Sequence, residues 1–398
     1  MKNEHRKIAN DLNLFKLSDY SSGMIVWLPK GQKIYQSIEN YLREIQINYN
    51  YIEVKSPIIA NSELWKKSGH LDNFKNNMFF LENNQGDDSN MAIKPMNCPF
   101  HIDIFKHLNY SYKDLPIRMS EFGLCHRNEP SGSLNGLFRL RSFNQDDGHI
   151  FCKKDQIGSE LILFINMVYE IYLKFGFKKE QISIKLAFRP ENKIGDDSLW
   201  DLSENYLKQA LCDLEIDFEE LVGEGAFYGP KIEFNLKDSL NRNWQCGVFQ
   251  LDFLLAERLG ASFINEKGNK EHPIILHRAA LGSIERFIAI LLEHYNGKLP
   301  LWLNPNAISI LPISNEQQQY ALKIQEILNK IGVSSSIDLS QEKMGYKIKK
   351  SFKDKSNLMF ILGNNEVKNQ QISIKLKEDN IVINISELEK WIKHLLIQ

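Results

Sequence analysis

Residues 138–151 read FRLRSFNQDDGHIF, and their alternation fits an extended strand. Successive side chains of a strand point to opposite faces. Arg139, Arg141, Phe143, Gln145, Asp147 and His149 therefore share one side, and Leu140, Ser142, Asn144, Asp146 and Gly148 share the other. Neither side reads as the apolar face of a core sheet. From Arg141 to His149 such a file runs roughly 26 Å at ~3.3 Å per residue, comparable to an extended nucleotide with a second small molecule attached. Arginine forks suit phosphates and an aromatic ring suits a base. A carboxylate suits an ammonium, and an imidazole suits a metal. A solvated strand carrying incidental ion pairs would account for the same residues.

The surrounding pattern extends the sheet. An apolar helical stripe of Ile34, Tyr35, Ile38, Tyr41, Leu42 and Ile45 precedes a strand ending at Pro57. A loop around NNQGDDSN, a helix near 98–108 and alternating segments at 116–127 and 137–152 follow. Helices near 156–176 and 197–215 then lead to strands at 231–236 and 244–253, and the apolar 281–295 segment predicts a buried helix. Strands joined mostly as hairpins predict an antiparallel sheet flanked by helices, an α+β domain over residues 1–300. After the two prolines of LPLWLNPNA the pattern becomes strand, helix, strand, helix, strand. That predicts a smaller α/β domain over 303–398 with a largely parallel sheet. Residues 303–398 hold 13 Lys against 10 Asp+Glu, and Lys347, Lys349, Lys350, Lys353 and Lys355 crowd nine positions. Such a run reads as a solvated helix face or as a nucleic-acid contact.

Net charge is −1, which neither demands nor excludes a polyanionic partner. The five cysteines are odd in number and form no CxxC pair, which predicts reduced thiols and a cytoplasmic protein. No apolar run is long enough to span a bilayer, and the charged first residues do not resemble a signal peptide.

Upstream of the strand, CHRNEPSGSLNGLFRLRSF (125–143) sets Arg127 and Glu129 before a Pro-Ser-Gly-Ser-Leu-Asn-Gly loop, with Arg139 on the returning segment. This resembles the second signature motif of class II aminoacyl-tRNA synthetases, and LGSIERFIAIL (281–291) resembles their third, with Arg286 as its arginine. The helix and strand before Pro57 resemble the first, which implies a homodimer. KPMNCPFH, QDDGHIFC, EGAFYGPKIEF, WQCGVFQLDF and ILHRAALGS narrow the resemblance to the threonyl-tRNA synthetase family, and it covers nearly the whole chain.

The resemblance implies an aminoacyl-tRNA ligase that activates L-threonine with ATP and passes it to the tRNA for threonine. Cys98, His149 and His277 match the family's ligands for one Zn2+ per chain. His101, at CxxH spacing from Cys98, is by itself a weak metal signal. Asp147 would meet the substrate ammonium, with Met96, Gln145, Tyr228, Gln250 and Ser283 around it. Arg127 would hold the α-phosphate with support from Gln245, and Glu129 would lie near the adenine amine. Phe143 would stack on the base, Arg139 and Arg286 would bind outer phosphates, and Mg2+ would accompany ATP. His70 and Lys231 are implied in transfer to tRNA. Phe100, Ser142 and Val248 depart from the family pattern, as do the lysines of IKLKED (374–379). The chain further reads as a form without the N-terminal editing domains of full-length bacterial members, and so as one that leaves seryl-tRNA uncleared. A tRNA-binding regulator and a ligase with a non-tRNA acceptor are the competing readings.

Overall fold

A computed structural model describes residues 4–81, 91–376 and 380–397. The expected NNQGDDSN loop and the end of IKLKED lie outside those residues. The chain divides into two compact units. One comprises Leu17–Ile25 and Glu39–Ile290, the other the chain up to Lys16, Val26–Ile38 and the chain from Leu291 on.

The first unit is built on eight strands: β1 (Ile52–Glu53), β2 (Ile117–His126), β3 (Ser142–Cys152), β4 (Ile182–Ala187), β5 (Phe218–Leu221), β6 (Lys231–Lys237), β7 (Asn243–Asp252) and β8 (Ile274–Ser283). Their order is β5-β4-β6-β7-β8-β3-β2-β1. The inner pairings are antiparallel, and the two outermost, β5 with β4 and β1 with β2, are parallel. Register assigns the faces. Lys231, Gln250, His277, His149 and Met119 lie in one row across five strands, and Glu233, Val248, Ala279, Asp147 and Glu121 lie in the next. The opposite face is mostly apolar, and Phe164 of the Ile157–Lys174 helix packs there against Phe234 and Phe249.

A charge pair is buried among those apolar residues. Arg278 is fully buried beside Asp146, Nη1 to Oδ1 2.9 Å, with its guanidinium 4.2 Å from the Tyr51 ring centroid. Asp146 also accepts from the amides of Ala280 and Leu281 and from Gln46 Nε2. Nε and Nη2 of Arg278 are buried without hydrogen-bond partners, yet removing either member of such a buried pair costs about 3–5 kcal/mol. Gly148 makes the arrangement possible, because a Cβ there would stand 2.4 Å from Arg278 Nε.

Two strand expectations need correction. The segment expected to be extended from 137 is paired only from Ser142. A 3-10 turn at Gly136–Phe138 precedes it, with Gly136 in the left-handed region that glycine favours. Arg141 donates its amide to Gly23 O and its guanidinium to Glu129 O and Ser131 Oγ, so it braces the loop and does not stand in file with Phe143. Likewise the strand before Pro57 pairs only over Ile52–Glu53. The Ser56 amide is bonded to the Glu121 carboxylate and not to a strand.

The C-terminal part of the second unit carries β9 (Ile308–Pro312), β10 (Ser335–Ile337), β11 (Leu358–Leu362), β12 (Gln371–Lys375) and β13 (Asn380–Asn384), in the order β10-β9-β11-β12-β13. Pairings of β9 are parallel, whereas β11–β12 and β12–β13 are antiparallel, so the expected largely parallel sheet is mixed. Residues 363–370 are too few for the crossover that a parallel return needs. Ile308, Ile310, Ile324, Leu328, Phe360 and Ile374 are among the residues filling its core. Lys347 leaves the expected solvated run. It is 2% exposed and its ammonium donates to Pro312 O and Asp338 O. Among the described residues no helix is long and apolar enough to cross a membrane.

Candidate functional site

Because His149 of β3 and His277 of β8 are direct cross-strand partners, their imidazoles stand side by side, ring centroids 4.6 Å apart. Cys98, the first residue of the Cys98–Leu108 helix, completes a buried cluster whose three donor atoms lie within 4.8 Å of one another. Burial pushes the Cys98 thiol well above its ordinary range, and the carboxylates of Asp147 and Asp252 push the same way. Burial, reinforced by His277 and His101, holds His149 well below the imidazole range, so it is neutral and ready to donate a lone pair. One sulfur and two nitrogens converging in a dry site are a donor set suited to a divalent cation. The cation would supply the charge that lets the thiol ionise.

Partners stand behind both imidazoles. His277 Nε2 is 3.0 Å from Asp252 Oδ2, and His149 Nδ1 is 2.9 Å from His101 Nδ1. His101 Nε2 is in turn 3.1 Å from Glu121 Oε2. Glu121 also accepts from the Ser56 amide and hydroxyl and from buried Lys94. Burial opposes its ionisation, but the bonds from His101, Ser56 and Lys94 prevail and hold it at about 2.

Asp147 lies one row from His149, is buried, and accepts from Asn97 Nδ2 at 2.9 Å. The Tyr228 ring centroid is 5.1 Å from that of His277. Gln250 is the cross-strand partner of both His277 and Lys231, and Lys231 pairs with Glu233 at 2.8 Å. Met96 is half-buried, two residues ahead of Cys98. His70 is fully buried, its Nε2 3.6 Å from Cys98 Sγ and its Nδ1 2.8 Å from Ser68 Oγ. Burial, then His277, Arg127 and Arg258, lower it to about 3.

At the other end of β3 a cavity of about 450 Å³ opens. Arg127, Glu129, Arg139, Phe143, Gln245 and Arg286 all line it, and so do Gln145 and Ser283, which pair across β3 and β8. Its size suits a nucleotide-sized ligand. The Arg127 guanidinium is 5.2 Å from the Phe143 ring centroid and 5.4 Å from that of Phe74. Arg286 Nε is buried without a hydrogen-bond partner, an orphan donor of the kind an anion satisfies. Arg139 is already engaged, 2.7 Å from Glu129.

Residues 79–295 match the family described as tRNA synthetase class II core domain (G, H, P, S and T), and residues 307–395 match one described as anticodon binding domain. The threonine–tRNA ligase of Wolbachia sp. subsp. Drosophila simulans is 48% identical over 374 residues, 94% of this chain and 58% of its own length. That of Ehrlichia canis is 47% identical over 395 residues, 99% of this chain and 62% of its own. The chain thus spans about three fifths of the length of these curated relatives. A crystal structure titled as the RNA binding domain of threonyl-tRNA synthetase from Cryptosporidium parvum superposes with a TM-score of 0.94 at 37% identity, covering 98% of each chain. The chain belongs to the threonyl-tRNA synthetase family of class II synthetases. A prolyl-tRNA synthetase from Giardia lamblia, 18% identical with a TM-score of 0.77, shares the fold.

In this synthetase-family chain the residues assigned from the motifs include some that line the cavity and those of the buried Cys98, His149 and His277 cluster, but not several groups packed against them. Asn97, Glu121 and Asp252 went unremarked. So did Glu285, which accepts from the Asn144 amide and Ser283 Oγ. Trp244 was missed too, stacked on Phe138 with centroids 4.2 Å apart and 5.7 Å from the Arg286 guanidinium. Glu121 sits in an alternating segment, as a polar residue on an inward step, and that was the one signal available for it.

Proposed function

We propose that this chain is the catalytic and anticodon-binding part of a threonine–tRNA ligase. It would activate L-threonine with ATP to threonyl-adenylate and transfer threonine to the 3′ end of its tRNA. The observation that carries the reading is the convergence of Cys98, His149 and His277 beside Asp147, on the same strand as the arginine-lined cavity. The family resemblance supports a catalytic domain over 1–300 and an anticodon-binding domain over 303–398. It also supports a homodimer built through the 31–57 segment. The thiols, all five free, support a cytoplasmic setting.

In this reading Arg127 and Gln245 hold the α-phosphate, Arg139 and Arg286 hold the outer phosphates, and Mg2+ travels with ATP. Phe143 stacks on adenine and Glu129 accepts from its amine. Asp147 holds the threonine ammonium, so that the carboxylate lies in line with the α-phosphorus and pyrophosphate departs on the far side. Positioning and neutralisation of developing charge do most of this work. Cys98, His149 and His277 would hold one Zn2+. Zinc, when bound, supplies an open Lewis-acid position for the hydroxyl that separates threonine from isosteric valine. Met96, Gln145, Tyr228, Gln250 and Ser283 wall the amino-acid pocket.

The hydrogen bonds of His70 give it a definite tautomer. The Ser68 hydroxyl proton goes to Trp65 O, so Ser68 Oγ accepts from His70 Nδ1–H. His70 Nε2 stands 3.6 Å from Cys98 Sγ, and it is by the family resemblance that His70 and Lys231 act in transfer to the tRNA ribose hydroxyl. The test is ATP–pyrophosphate exchange with threonine, serine and valine, followed by charging of a threonine tRNA transcript. Exchange driven by another amino acid, or none with threonine, overturns the proposal.

A further inference from the structure

Two imidazoles in the Cys98, His149 and His277 cluster have different supports. His277 leans directly on a carboxylate: its Nε2 is 3.0 Å from Asp252 Oδ2, so Nδ1 faces the cluster. His149 reaches a carboxylate only through a third imidazole. Glu121 receives four contacts, from Ser56 N, Ser56 Oγ, Lys94 Nζ and His101 Nε2. An ionised carboxylate only accepts, so His101 Nε2 carries a proton and donates it. In an imidazole carrying a single proton, on Nε2, the other nitrogen, Nδ1, is the acceptor. That nitrogen is 2.9 Å from His149 Nδ1 and accepts its N–H. His149 Nε2 is then the nitrogen left with a lone pair.

We propose that His101, backed by Glu121, is a positioning residue that sets the tautomer and orientation of His149 for metal binding. The inference rests on the reading of the Cys98, His149 and His277 cluster as a metal site. His101, Glu121 and His149 are 4% exposed or less, so the lost bond is not readily replaced by one to bulk water. With the relay removed, His149 is free to carry its proton on Nε2, where it cannot ligate. Partners of this kind typically contribute 10–100-fold to metal affinity.

The experiment uses the full chain, stripped of metal and titrated with zinc against a chelating dye, and separately with cobalt(II) while its visible spectrum is recorded. His101→Leu removes both bonds and should weaken zinc by about 10–100-fold. His101→Gln offers an amide oxygen to His149 and an N–H to Glu121, and should recover part of that loss. Glu121→Gln keeps an acceptor without its charge and should fall between wild type and His101→Leu. The cobalt spectrum should shift in His101→Leu, which a purely structural role, read from the melting of the metal-free forms, would not cause. If His101→Leu does not fold, His101→Gln and Glu121→Gln decide. Equal zinc affinity and an unchanged cobalt spectrum in the folded variants overturn this inference alone. A wild-type chain that takes up neither zinc nor cobalt overturns the metal reading and this inference together.

Discussion

The two ends of β3 are built on opposite plans. Around Asp147 and His149 every group is dry: Cys98, His101, Asp147, His149 and His277 are all 7% exposed or less, and each carboxylate or imidazole is already bonded to another buried group. Around Phe143 the wall is open, and Arg139 keeps half of its side chain in solvent. A dry site discriminates steeply, because a ligand lacking one polar group leaves a buried partner unsatisfied. An open cleft with arginines reads charge and tolerates adjustment, since solvent softens each loss.

Breaking the dry end should give the largest effect. Cys98→Ser is expected to release the metal and collapse the preference for threonine over valine, set at ~10⁴–10⁵ when a site requires a hydroxyl. The comparison of kcat/KM in exchange for the two amino acids reads this directly. Preference retained without metal would move discrimination elsewhere. At the open end, Arg127→Ala should lower exchange by ~10²–10³, as loss of one charge-stabilising donor does, while metal content stays at the wild-type level. Metal lost in that variant would mean that the two ends are not separable.

Glu285 sits between the plans, 2% exposed and bonded to Asn144 at the start of β3. Burial raises its carboxyl to about 7, against the pull of its bonds to backbone, Asn144 and Ser283. A carboxyl raised on folding stabilises fully below its unfolded value near 4.5 and loses that contribution as pH rises through about 7. The swing is roughly 3 kcal/mol. Urea unfolding at pH 5 and pH 8 should therefore show wild type losing stability relative to Glu285→Gln. Parallel behaviour of the two proteins would show that Glu285 does not titrate in this window. The smallest effect belongs to Arg139→Ala. Its pair with Glu129 is half in solvent, so thermal unfolding should move by under about 1 kcal/mol. A larger loss would show that the open end is as rigid as the closed one.

Strand positions were legible because alternation is local: the paired spans Ile117–His126, Lys231–Lys237 and Asn243–Asp252 lie within a residue or two of the expected ones. The placement of Arg141 was not, because it depends on Gly136 turning the chain and on Gly23, more than a hundred residues away, accepting its amide. The three donors near His149 could be picked from motifs. The His101–Glu121 relay could not, since it exists only when a helix and a neighbouring strand meet. Lys347 and the antiparallel turn to β12 were hidden for related reasons. Burial of a lysine and the reach of an eight-residue connection are set by packing and geometry, not by residue type.

Gly148, between the Asp147 carboxylate and the His149 imidazole, has its own consequence for how such a chain can change over time. Its missing side chain is the space through which Arg278 crosses the strand. A single added methyl would collide with that guanidinium and disturb both neighbours at once. Drift at this position, even to alanine, therefore requires the Arg278 side chain to move. Laboratory evolution toward a different amino acid has to work through the pocket's outer walls, Tyr228, Gln250 or Met96, and not through the strand that carries its recognition groups.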